Sequence, residues 1–322
     1  MALDKQAIYT AQMPANVCLI GHLFASSSLA FSLPKLHTTV SLSTHRGTKD
    51  TWKITNTERL SYQSIDNYLK HLQRVKNHLG YNGGFFVQSN NSFPIGLGLS
   101  SSSSSYSALT ACAVKAIQAS GQPIKQMMTH DEISHLSSEG KHSSKHSFYS
   151  PWSIAENNSM AGASFAEFDQ LTHIALKACD QQKRIGMEQI LSLIEKNPRV
   201  EEYANQVRKR VFLAHDCLEN KNWKGLFDCV WKDFIELHQL FHTCKPSFSF
   251  HSTATKALLQ QVKHWWDIYD DGPLLTMGMG YVVHLLFRPD QQKMKRKMLD
   301  SMQYHTCIEG TESSRELMGA IA

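Results

Sequence analysis

The sequence predicts an α+β fold built as two lobes. Three observations carry that prediction. Short β-prone apolar segments and a Gly/Ser-rich loop lead into a helix in the first half, and the second half holds long amphipathic stripes closed by one more apolar strand. Strands are followed by helices, and helices by a strand, which is the α+β order and not that of a parallel nucleotide-binding sheet. The length, 322 residues, is enough for two cores, and we place the division at 1–182 and 183–322.

The elements follow in order. Between residues 16 and 43, the segments VCLI and TTVSLS are β-prone and broken by serine- and proline-containing pieces, which reads as short strands joined by turns. Residues 84–87, GFFV, read as another strand. Tyr106, Leu109, Ala113, Ala116 and Ile117 recur at helical spacing, so a helix follows from near Ser104 and stops at Gly121 and Pro123. Thr129 and Glu132 form a candidate capping box for the next helix. One stripe then runs through Val200, Tyr203, Val207, Val211, Ala214 and Leu218, and another through Trp223, Phe227, Val230, Phe234, Leu237 and Phe241. Both are core-packing faces. Leu258, Val262 and Trp265 mark a further helix, and residues 281–287, YVVHLLF, a closing strand.

Composition narrows the function. Apolar residues make up 42% and charged residues 19%, as in an ordinary globular protein. There is no apolar run of membrane-spanning length and the first residues lack the apolar centre of a secretory leader, so no membrane partner is expected and the cytoplasm is the expected address. The seven cysteines are scattered with no Cys-x-x-Cys pair, which argues against structural zinc or a disulfide framework and for small buried side chains. The 17 histidines show no obvious ligand spacing, and most are expected at the surface or the core edge. A net charge of +5 without a basic run suits an anionic metabolite and gives no footing for nucleic acid.

The chemistry-bearing segment is 94–105, PIGLGLSSSSSS. Gly96 and Gly98 permit tight turns, the serines offer hydroxyl donors, and the helix that follows aims its unpaired amides at the same place. Such a site cradles phosphate. A serine run is also the composition of a flexible linker, but a linker is not set between a β-prone strand and an immediate amphipathic helix. The Walker lysine pattern is absent.

Residues 87–109, VQSNNSFPIGLGLSSSSSSYSAL, resemble the motif N-x-F-P-x-x-x-G-L-A-S-S-A-x-x-[FY]-A-A-L of the diphosphomevalonate decarboxylases, in the GHMP kinase superfamily. Other segments are similar to that family in the same order: NVCLI from Asn16, GKHSSKHSFY from Gly140, KRIGM from Lys183 and DDGP from Asp270. The fold this resemblance implies is a two-lobed GHMP kinase-like α+β fold, with an N-terminal ribosomal protein S5 domain 2-like lobe and a C-terminal ferredoxin-like lobe. It also implies ATP and Mg2+, a phosphorylated small-molecule substrate, and a homodimer. ATP would lie against Pro94, Gly96, Gly98, Leu99, Ser100, Ser101, Ser102 and Ser103. The substrate would lie against Asn16, His22, Ser143, Ser144, Ser147, Lys183, Arg184 and Met187. No metal ligand is assigned.

The implied reaction transfers the γ-phosphoryl of ATP to a tertiary hydroxyl and then expels phosphate with carbon dioxide. Asp270 is the catalytic candidate at the hydroxyl. Its other reading is a turn aspartate capping its own loop. The second catalytic candidate is His146, which falls where the family aims an arginine at the substrate carboxylate. Histidine has no permanently charged bidentate fork. An unreplaced arginine would be worth about 3 kcal/mol of transition-state stabilisation. The family's two lysines after the first strand are also missing, with His22 in that segment, while Lys141 and Lys145 add cations the family pattern lacks. These departures keep two alternatives open: a related kinase that stops at the phosphorylated hydroxy acid, and a nucleotide-binding homologue without turnover.

Overall fold

The computed structural model describes residues 7–22, 26–45, 47–53, 60–121, 127–157, 159–177, 187–278, 280–301 and 306–309. They gather into two compact units, one drawn from Met1–Asn16, Pro34–Ile95 and Ser100–Phe148, the other from Val17–Leu33, Gly96–Leu99 and Tyr149–Ala322. Each unit is mixed α and β, as expected.

Two long strands, β1 (Ile8–Ile20) and β2 (Ser28–His45), stand where short ones joined by turns were expected, and they pair with each other. Over Ser28–Phe31, β2 pairs antiparallel with β5 (Trp152–Glu156), and over Thr38–His45 with β4 (Gly84–Asn91). Pro34 falls between the two ladders, where its missing N–H costs neither of them a bond. A single strand therefore passes through a proline that reads as a break.

In the first unit, β4 also pairs in parallel with β3 (Thr51–Trp52). Against this sheet lie α1 (Tyr62–Leu79) and α2 (Ser101–Gln118), with Leu72, Val75, Leu109, Cys112 and Ala113 meeting Val40, Leu42, Phe85 and Val87 in one core. Helix α3 (His130–Ser138) starts with the predicted capping box: Glu132 N–H donates to the Thr129 hydroxyl, and Thr129 N–H to the Glu132 carboxylate. A 3-10 helix, His142–Phe148, packs on α2 and α3.

The second unit holds β5 with β6 (Ser159–Ala163), and an antiparallel sheet of order β10–β7–β9–β8: β7 (Thr172–Lys177), β8 (Leu274–Thr276), β9 (Val282–Phe287) and β10 (Thr306–Glu309). Its helices are α4 (Met187–Glu195), α5 (Val200–Glu219), α6 (Trp223–Thr243), α7 (Thr253–Tyr269) and α8 (Gln292–Ser301). Both predicted stripes are core faces; Val200 is the one half-buried member. On α7 the buried tryptophan is Trp266, stacked on Phe227 at 4.0 Å, and its neighbour Trp265 is half-buried. The described cysteines are free thiols, buried at Cys112 and Cys244 and half-buried at Cys18, Cys217 and Cys229. Among the described residues six histidines, His22, His71, His146, His173, His238 and His284, are buried.

An ion pair closed off from water ties the first unit together. Lys76 on α1 donates to Asp50 at 2.9 Å, with side chains 1% and 6% exposed, and Asp50 also accepts from the Phe85 amide. Removing one partner strands the other charge. Asp50→Ala is expected to cost about 3–5 kcal/mol, read from urea unfolding of the full chain. Adding Lys76→Met is expected to recover most of that loss.

Candidate functional site

The Gly/Ser segment folds as a turn leading into a helix. Gly96 and Gly98 have φ of 88° and 71°, and Ser100 at 52° ends the turn in the same left-handed region. Helix α2 then begins at Ser101, earlier than the expected Ser104, because the serines tie its first turn to itself. The hydroxyls of Ser104 and Ser105 donate to the Ser101 carbonyl at 3.1 and 2.7 Å. Within the helix, Ser104 N–H donates to the Ser100 carbonyl, so the amides of residues 101–103 are left at the helix end. No acidic side chain lies in that first turn. A helix end with free amides, no carboxylate and a glycine turn before it is a seat for phosphate.

Behind it in the first unit is a hydroxyl network. Ser103 and Ser143 meet at 2.6 Å, Ser107 donates to the Ser144 carbonyl, Ser144 meets Ser137, and Thr38 meets Ser104. Asn16 donates to the Ser147 hydroxyl at 3.1 Å with both residues buried. The structure thus brings the expected Asn16, Ser143, Ser144 and Ser147 together on the 3-10 helix and its surroundings, with His146 buried on the same helix. Lys141 and Lys145 flank them, and burial lowers the pKa of both ammonium groups.

By itself, the second unit holds a cluster built from imidazoles. A Cβ on Gly98 would stand 2.9 Å from Nε2 of His284. His284 meets His173 at 3.0 Å, Nδ1 to Nε2, and is opposite Thr276 in the β8–β9 register. Nδ1 of His173 is buried with no partner among the described residues. A bare lone pair there costs less than a stranded N–H. His173 therefore donates from Nε2, and His284 carries its own proton on Nε2, toward Gly98. His22 is buried, with Nε2 3.4 Å from the Thr276 hydroxyl, and a Cβ on Gly278 would stand 3.2 Å from its ring. Burial lowers its pKa to about 4, and that of His284 to about 3 with His22 adding to the effect. Both are neutral at pH 7.

Helix α6 holds the backbone turns around these rings. His238 Nε2 donates to the Met277 carbonyl at 3.0 Å, and Asp233 accepts from the Gly21 amide at 3.2 Å. None of His173, His284, Thr276 or Asp233 was singled out from sequence. A lone histidine inside the apolar run YVVHLLF was the available signal.

Asp270 lies elsewhere. It is the left-handed C-cap of α7, φ 49°, with its amide donating to Trp266 and its exposed carboxylate paired with Lys224. Beside it, Asp271 is held by both terminal nitrogens of Arg288, at 3.1 and 3.2 Å. Arg288 and His284 are four residues apart along one extended segment, roughly 13 Å. Asp270 therefore sits at one end of β8 and the Gly98, His22 and His284 group at the other. The geometry gives Asp270 the capping role that an Asp-Asp-Gly-Pro turn favours. Lys183 and Arg184 lie outside the described residues, and of Met187 only the backbone, at the start of α4, is described.

Residues 22–166 match the family model described as the diphosphomevalonate decarboxylase-like N-terminal domain. The whole chain is similar to the crystal structure of a mevalonate diphosphate decarboxylase from Legionella pneumophila, at 31% identity and TM-score 0.87, covering 94% of this chain and 100% of that one. It shares its fold with the mevalonate diphosphate decarboxylase of Staphylococcus aureus, at 18% identity and TM-score 0.81, covering 94% and 95%. The same holds for MDDEF in complex with MVAPP, AMPPCP and magnesium, at 16% identity and TM-score 0.78, covering 95% and 98%. No curated protein sequence matches the chain.

Gly98→Ala tests the turn. The left-handed backbone alone is expected to cost about 1–2 kcal/mol. The clash with His284 adds to it, so that His284→Ala in the same background recovers the steric part only, as read from urea midpoints.

Proposed function

The chain belongs to the mevalonate diphosphate decarboxylase family, and from that premise we propose that it is an ATP-dependent enzyme that decarboxylates mevalonate 5-diphosphate. The γ-phosphoryl of ATP passes to the tertiary hydroxyl. Phosphate then leaves that carbon as the bond to the carboxylate breaks, and its electron pair forms the double bond of isopentenyl diphosphate with release of carbon dioxide. The observation that carries this reading is the 31% identity over the full length of a decarboxylase of that name.

The residues present fit the nucleotide. The amides at the start of α2 and the turn through Gly96 and Gly98 receive its phosphates, with Pro94, Leu99 and Ser100 to Ser103 shaping the turn and the helix start. Among the described residues, no group of three or more His, Cys, Asp or Glu side chains could hold a metal. Magnesium characteristically binds through substrate phosphates with few protein ligands, so it would be held by the ATP phosphates and would supply neutralising charge there.

On the substrate side, Asn16, Ser143, Ser144 and Ser147 offer hydrogen bonds, and Lys141 and Lys145 supply positive charge. His146 takes the place of the carboxylate-binding arginine. Lys183, Arg184 and Met187 belong to the substrate side through their resemblance to the family's S-R-x-G-M segment. His22 adds a neutral polar ring. The second step develops cationic character at the tertiary carbon, and a neutral ring does not oppose that charge. The family resemblance likewise supports a homodimer, which sedimentation velocity measures, and a cytoplasmic address. Among the described residues no helix is long and apolar enough to cross a membrane.

Incubation with ATP, magnesium and mevalonate 5-diphosphate is expected to yield ADP, phosphate and carbon dioxide in equal amounts. ADP without carbon dioxide would assign the chain to a kinase that stops at the phosphorylated product. Asp270→Asn is expected to leave kcat/KM within about twofold of the parent, since its backbone caps α7 and its exposed carboxylate pairs with Lys224; a loss of about a hundredfold or more would return it to the reacting hydroxyl.

A further inference from the structure

We propose that Asp233 is a positioning residue for this reaction, fixing the Gly21–His22 turn so that His22 is presented to the substrate. The proposal rests on the decarboxylase reading and deepens it. Asp233 lies on α6 with its side chain fully buried. One carboxylate oxygen accepts from Arg210 at 2.6 Å. The other accepts from the Gly21 amide and from the Tyr203 hydroxyl, each at 3.2 Å. The second arm of Arg210 goes to Glu236 at 2.5 Å.

The turn needs such an anchor. Gly21 has φ of 84°, and a Cβ there would stand 2.3 Å from the Ser27 carbonyl oxygen. Only glycine takes that conformation in that space, and glycine leaves the backbone free to take others. A charge-assisted bond from its amide to a carboxylate selects one of them. The next residue is His22, whose ring meets Thr276 and packs over Gly278. A buried carboxylate needs donors for its remaining lone pairs, and here the Gly21 amide is one of them, which ties the turn to the ion pair.

The groups facing Asp233 are Arg210, Tyr203 and Cys18, with Glu236 acting through Arg210. Burial, together with the negative charge of Asp233, pushes the Tyr203 hydroxyl and the Cys18 thiol upward, so both are neutral at pH 7. Burial likewise pushes the carboxyl of Asp233 up to about 6, against the opposing pull of Arg210. As pH falls through that value, the carboxylate takes a proton and the Gly21 amide loses its charged acceptor. The turn is therefore held above pH 6 and loosened below it.

The test uses the full chain with 15N-glycine labelling, alongside steady-state kinetics. In the parent protein the Gly21 amide is expected downfield, moving upfield as pH falls with a midpoint near 6. In Asp233→Asn that movement disappears. The KM for mevalonate 5-diphosphate is expected to rise roughly tenfold while that for ATP stays within about twofold, the loss of one hydrogen bond to a charged group acting on one substrate. Tyr203→Phe keeps the ion pair but removes a bond that holds the carboxyl down, so both the amide midpoint and the acid limb of kcat/KM are expected to move to higher pH. It also serves if Asp233→Asn does not fold.

An unchanged Gly21 amide and unchanged KM in a folded Asp233→Asn overturn the proposal and leave Asp233 as the partner of Arg210 alone. If the parent shows no turnover, the decarboxylase reading fails by itself. The amide titration still decides whether Asp233 holds the turn.

Discussion

A buried carboxylate and its arginine order the imidazole cluster of the second unit. Asp233 is held ionised in an apolar interior by Arg210, and the negative charge kept there is what reaches the Gly21 amide. Further along α6, His238 holds the Met277 carbonyl. One helix therefore restrains two turns that are about 250 residues apart in sequence, by bonding to backbone groups that a strand ladder would otherwise satisfy. Packing of α6 against α5 and β8 makes that restraint rigid.

The first unit is ordered by hydroxyls. The serines of α2 bond back to carbonyls one turn earlier, or across to the 3-10 helix, so a run that would be a flexible tether in isolation becomes the best-tied turn of a helix. The helix end remains free of side-chain caps, and Ser100 uses a left-handed backbone in place of one. An anion is then the natural partner for the remaining amides.

Much of the fold was legible in sequence because periodicity reports burial. The stripes on α5 and α6 and the capping box at Thr129 read directly from residue spacing. What misled was local chemistry: Pro34 reads as a break but falls between two ladders, and α2 starts at Ser101, before the expected Ser104, because its serines tie the first turn. The turn and, to within a few residues, the helix start were legible because glycines and serines crowd into one segment. The imidazole cluster was not, since His22, His173 and His284 come from three distant segments and only strand register brings two of them together. Asp270 was named from a four-residue likeness, and in the fold it is the left-handed cap of α7 with its carboxylate on Lys224.

Rings buried as deeply as His22 and His284 do not carry charge near neutral pH. Their attraction for an anion is that of a dipole, short in reach and steep in its dependence on angle. Mobile ions in solution screen point charges over about 8 Å at physiological ionic strength, and have little purchase on such contacts. Lysines in the same place would draw any phosphate from a distance. Neutral imidazoles present a dipole there instead, whose pull depends on orientation and hardly on salt.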